Sequence, residues 1–222
     1  MGQKMLQQVL ETFIIKPAKT FFMRLRNDPF HSLDDLGEFL QTRASFVAQV
    51  TLFGYLKTRM GTKHRVLFED EVFSVAIQDA AARLFTTCLA DITLYTMARL
   101  VRDGGLEQAR ASKLAQEIYS KHIRIGLEDF PREELREKII SDGDSRMAGR
   151  IKVAKWPELV DIYGTFRPSE VDIIRFAPVS EDFKERDKTI VGNSVRLKWN
   201  DIRAQLVKRL KEPEFVAHLN RA

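Results

Sequence analysis

One cysteine in 222 residues, Cys88, leaves no internal disulfide to be formed, and the chain reads as a cytoplasmic protein of a reducing compartment. Histidine is nearly as scarce. His31, His64, His122 and His218 are dispersed and cannot assemble the usual zinc spacings with a single thiol. The glycine-rich loops that cradle phosphates are absent, as is the Gly-x-Ser-x-Gly turn that presents a nucleophilic serine. No Glu-x-x-His pairs exist for a di-metal site in a helical bundle. Glu214 and His218 could share a helix face, but they read as a surface helix end. Asp142-Gly143-Asp144-Ser145 opens like a calcium loop and lacks the later ligands. No metal and no cofactor is therefore expected. The apolar run Phe13 to Ile15 is too short for a secretory signal and is interrupted by Lys16-Pro17. Leu6 stands where myristoylation of Gly2 would want a hydroxyl residue.

What is present is an ordinary globular composition, 44% hydrophobic and 30% charged, which excludes both a disordered chain and a membrane-embedded one. The net charge of +5 is unevenly placed. Residues 1–26 carry +4 and residues 188–222 carry +5, on a body that is slightly acidic throughout. Basic ends can meet phosphate-rich or other anionic surfaces by Coulomb attraction, or can simply be solvated helices.

Helix signals dominate. Leu6, Val9, Leu10 and Phe13 share a face before Pro17 breaks the pattern. Ser32 is suited to cap a helix whose apolar positions Leu36, Phe39, Leu40, Phe46, Val47, Val50 and Phe53 keep the helical period, ending at Gly61. The stretch from about 70 to 102 has no proline or glycine, and Leu84 to Ala98 contains one charge, Asp91. A helix apolar all round is buried all round, so this one is expected at the centre. Arg83, Asp91 and Arg99 divide it too finely for a membrane span, which needs ~20 clean residues. Further helices are expected over 106–125 and from about Pro131, with Gly143 and Gly149 making 141–150 irregular or short-helical. Residues 164–180, containing Gly164, Pro168 and Pro178, read as a linker; Val171 to Ile174 could be a short strand, but one such run makes no sheet. The fold class is then all-α: an irregular bundle of six or seven helices. Its parts are a basic amphipathic segment (1–26), a helical core (27–163), the linker (164–180) and a basic amphipathic C-terminal helix (181–222).

Two groups of residues are candidates for function. Arg43, Asp91 and His122 interrupt otherwise apolar helix faces. A buried charge is costly unless paired, so Asp91 is expected to pair with Arg43, or failing that with Arg99. The alternative is a polar pocket around Asp91 and His122, with Tyr95 or Tyr119. The second group comprises possible membrane- or partner-binding residues. Lys16, Lys19, Phe21, Phe22, Arg24 and Arg26 mix aromatic and cationic side chains, as at a lipid headgroup boundary. Val191, Val195, Trp199, Ile202, Leu206 and Leu210 form a stripe that must lie on the chain's own core, a partner or a membrane.

These features point first to a non-catalytic adaptor or assembly factor that meets a protein partner or the anionic inner face of a membrane. A small helical enzyme or ligand-binding protein built on Asp91 and His122 comes second. A nucleic-acid-binding regulator comes third, because residues 1–60 hold Pro17, an Asn-Asp-Pro turn and one long helix rather than a helix-turn-helix. Homo-oligomerisation is left open.

Overall fold

A computed structural model describes residues 28–221. The expected anionic-surface segment, with Lys16, Lys19, Phe21, Phe22, Arg24 and Arg26, lies outside the described residues.

The described chain is an all-α bundle, with no strand among the described residues. In chain order the helices are α1 (Leu33–Met60), α2 (His64–Glu69), α3 (Glu71–Arg102), α4 (Gln108–Gly126), α5 (Glu133–Lys152), α6 (Ile162–Thr165), α7 (Arg167–Phe176), α8 (Glu181–Leu210) and α9 (Glu212–Leu219). A 3₁₀ turn, Trp156–Val160, follows α5. The boundaries have local causes. The Ser32 hydroxyl accepts from the Asp35 amide at the start of α1, and Gly61 closes that helix with φ 53°. The Asp70 carboxylate accepts from the Phe73 amide at the start of α3.

Helix α3 is the axis of the bundle. It packs against α1, α4, α5, α7, α9 and the Trp156–Val160 turn. Small residues make this possible: Ala80 to Ala82, Cys88, Ala90 and Ala98 are all buried and let neighbours approach from every side. Its buried threonines partly satisfy themselves within the helix. Thr96 Oγ1 donates to the Ile92 carbonyl at 2.7 Å and Thr86 Oγ1 to the Arg83 carbonyl at 2.8 Å. By length and composition α3 could cross a membrane, but 89% of its most apolar stretch is buried against the rest of this chain.

Three expectations about the chain's course are corrected. Residues 141–150 are fully helical, in the second half of the continuous helix α5. Gly143 is there for contact rather than for a break: a Cβ on it would come 2.6 Å from Ile123 Cδ1 and 2.7 Å from Tyr119 Oη, so its absence lets α5 close on α4. Residues 164–180 are not a linker, and Val171 to Ile174 are not a strand. Pro168 sits in the first turn of α7, where a missing amide hydrogen costs nothing, and Ser169, Glu170, Asp172, Ile173 and Ile174 are buried. The C-terminal helix is two helices, because Lys211 adopts a left-handed conformation, φ 45°, and Pro213 begins α9.

Candidate functional site

The six stripe residues, Val191, Val195, Trp199, Ile202, Leu206 and Leu210, are each 5% exposed or less. They face the chain's own body, where α8 packs on α7 and α1, and are not a free membrane- or partner-binding surface. Trp199 stacks at 4.7 Å on Phe166, which in turn lies 5.3 Å from Tyr95 of α3. The Trp199 indole N–H donates to Ser169 Oγ at 2.9 Å, so even its polar edge is used.

Arg43, Asp91 and His122 are all buried, at 2%, 0% and 4% exposure. Asp91 does not pair with Arg43. Its Oδ1 accepts from Arg150 Nη1 at 2.6 Å and its Oδ2 from the Ser169 amide at 3.0 Å. One carboxylate therefore ties α3 to both α5 and α7. The Arg43 guanidinium lies 5.2 Å from the Phe39 ring centre on its own helix, and Arg99 is taken by Glu212 of α9 at 2.6 Å. One turn before Arg150, Arg146 donates to Thr86 Oγ1 at 3.0 Å and lies 3.9 Å from Asp172, which accepts from Thr87 Oγ1 at 2.7 Å. Arg146 and Arg150 stand four apart on α5 and so reach inward side by side. Reading 141–150 as irregular conceals that spacing.

Burial pushes the Asp91 carboxyl up to about 6, against the Arg150 charge and the hydrogen bonds that favour its ionised form. His122 keeps different company. Its Nδ1 meets Gln41 Oε1 at 3.1 Å and its ring fills the space left by the missing side chain of Gly37, both on α1. Burial lowers its pKa, and the neighbouring Lys121 charge adds to that. Asp91 and His122 share no partner among the described residues. Tyr95 is committed to the aromatic stack, and the Tyr119 hydroxyl donates to the Thr86 carbonyl at 3.2 Å. Both Asp91 oxygens accept hydrogen bonds from the protein itself, which makes this network a brace between helices.

The outward side of α7 offers something different. Between α7 and the first half of α8 lies a groove of about 580 Å³, lined by five cationic and three acidic side chains. Most of these charges are matched. Arg196 clasps Glu170 with two hydrogen bonds, at 2.9 and 2.7 Å, and Lys184 donates to Glu181 at 2.8 Å. Arg175 lies 3.8 Å from Asp172. Arg167 and Lys188, on opposite walls, have no ion pair among the described residues. Ile174, 9% exposed, and Val171, 44% exposed, supply an apolar lining between them. Sequence reasoning missed this groove because Arg167 to Arg175 read as linker; the i, i+3, i+4 spacing of Arg167, Glu170, Val171 and Ile174 was the available signal.

Among the described residues, no group of three or more His, Cys, Asp or Glu side chains is placed to hold a metal ion. No family model matches this chain, and neither a curated protein nor a solved structure does. The groove between α7 and α8 is recessed and partly apolar, with cations on both walls that an anionic group would neutralise.

Proposed function

We propose that this protein is a non-catalytic adaptor that holds an acidic, partly apolar segment of a protein partner in the groove between α7 and α8. One observation carries the reading: Arg167 and Lys188 flank Val171 and Ile174 without an ion pair among the described residues, while the other cations of the groove have theirs. A flat lipid surface cannot enter such a recess, whereas an extended chain can. The ten residues of α7 give a wall of about 15 Å at roughly 1.5 Å per residue. That matches about five extended residues.

A fluorescein-labelled Glu-Leu-Glu-Leu-Glu peptide, followed by anisotropy against its Gln-Leu-Gln-Leu-Gln counterpart, tests the reading. The acidic peptide is expected to bind more tightly, with affinity falling as salt is raised. Arg167→Glu combined with Lys188→Glu is expected to weaken it at least about tenfold, a change of ~1.4 kcal/mol, while the far-ultraviolet circular dichroism is unchanged. Equal binding of the two peptides, or no effect of the double reversal, would overturn the reading.

A second contact is proposed for residues 1–26, where Lys16, Lys19, Arg24 and Arg26 surround Phe21 and Phe22. Each basic group near an anionic membrane contributes ~1 kcal/mol, and the rings add apolar area. Co-sedimentation with vesicles containing phosphatidylserine, lost on deletion of residues 1–26 and absent with neutral vesicles, is the expected result. Binding that survives the deletion would remove the proposal.

A further inference from the structure

The face of α8 turned away from the body carries its own pattern. Phe183, Ile190 and Leu197 recur seven apart and are 38%, 70% and 61% exposed, the Phe183 ring at the edge of the face lying 5.1 Å from the Arg59 guanidinium of α1. Ala204, seven further on, is exposed too. Steps of seven drift by only about 20° around a straight helix, so these four form one column along its outer side. Single exposed apolar residues are ordinary on any surface. A column with heptad spacing on a 30-residue helix is the signature of a helix–helix seam. Beside the column stand Arg186 and Asp201, both exposed and neither ion-paired among the described residues.

We infer that this face pairs with a second copy of the chain, the two α8 helices lying antiparallel about a two-fold axis between Asn193 and Ser194. That axis sets Ile190 against Leu197 of the second copy, and Phe183 against the small Ala204. The same operation brings Arg186 beside Asp201 of the second copy, and does so twice. Charge complementarity thus fixes both the occupant and the direction. A parallel pair in register would instead set Arg186 against Arg186 and Asp201 against Asp201, like charges that repel. Small Ser194 lies at the axis, where the backbones come closest. The paired stretch, residues 183–204, is about 33 Å long at roughly 1.5 Å per residue. With one apolar column per helix, the contact belongs at the small end of specific interfaces, so the dimer is reversible and depends on concentration. Of the residues that line the groove of α7, Gly192 and Arg196 are on another side of α8, while Asn193 stands both at the axis and on the groove's edge.

Sedimentation velocity of the full chain, from about 1 µM to about 1 mM, covers the range of such weak association. The expected result is a shift from monomer to dimer, abolished by Leu197→Glu with circular dichroism and melting temperature unchanged, since that side chain is 61% exposed. Arg186→Asp alone and Asp201→Arg alone are each expected to weaken the dimer about tenfold, because each turns two exposed attractions into repulsions. Mixing the two single variants restores opposite charges at both contacts, and the mixture is expected to associate as the unaltered protein does. A monomer at every concentration would overturn the proposal. So would a dimer indifferent to Leu197→Glu, and a mixture that associates no better than its components would overturn the antiparallel register.

Discussion

The two longest helices, α3 with 32 residues and α8 with 30, solve opposite problems. Twenty residues of α3 are buried, against nine of α8. Helix α3 achieves this with alanines, threonines and a cysteine that let neighbours close in from all sides. Its one charge between Leu84 and Ala98 is handed to an arginine from elsewhere. Helix α8 gives a single stripe to the body and leaves the rest of its circumference to charge, to the α7 groove and to the outer column. The difference teaches where each kind of information lies: the packing of the core in α3, the chemistry of the surface in α8.

The sharpest way to break that comparison is to truncate α3. Leu89 is fully buried, so Leu89→Ala is expected to cost ~2–5 kcal/mol in urea titration, as for other buried leucines. A loss below about 0.5 kcal/mol would mean that α3 is not the axis of the fold.

The charge inside α3 gives a second test, through pH. With a folded-state pKa of about 6, above the ordinary 3.8, Asp91 binds its proton more tightly when folded. The stability tied to that proton is complete below the unfolded value and is lost as pH rises through about 6. Asp91→Asn removes this loss while keeping an acceptor for Arg150. Relative to the unaltered protein, the variant is expected to gain on the order of 3 kcal/mol between pH 4 and pH 7, at ~1.4 kcal/mol for each tenfold change in proton affinity. A stability difference that stays flat over that window would contradict the raised pKa.

The smallest effect belongs to α8. Ile190→Ser, at a side chain 70% exposed, is expected to change the stability of the monomer by less than ~0.5 kcal/mol when measured at low concentration. A larger loss would show that the outer column is part of the core after all.

How much was legible follows the same division. The burial of Asp91 was visible in the sequence, because no other charge lies between Leu84 and Ala98 on its helix. Its partner was not: the sequence pointed to Arg43 and then Arg99, and only the approach of α5, permitted by the missing side chain at Gly143, brings Arg150 to it. The stripe from Val191 to Leu210 was equally plain, but a stripe does not say what covers it. The groove was hidden because Gly164, Pro168 and Pro178 resemble linker punctuation, whereas Pro168 starts α7.

By itself, then, the sequence determined what local chemistry determines: helical periods, the Ser32 and Asp70 caps, the stop at Gly61, and a central helix with no polar face. The tertiary structure alone decided which buried charges meet, that Trp199 stacks beneath α7, and that Arg167 and Lys188 face one recess. The reason is physical. Periodicity and capping depend on neighbours within a turn or two, whereas pairing depends on how closely helices far apart in sequence can approach. That approach is governed by the volumes of side chains on both, which no single segment contains.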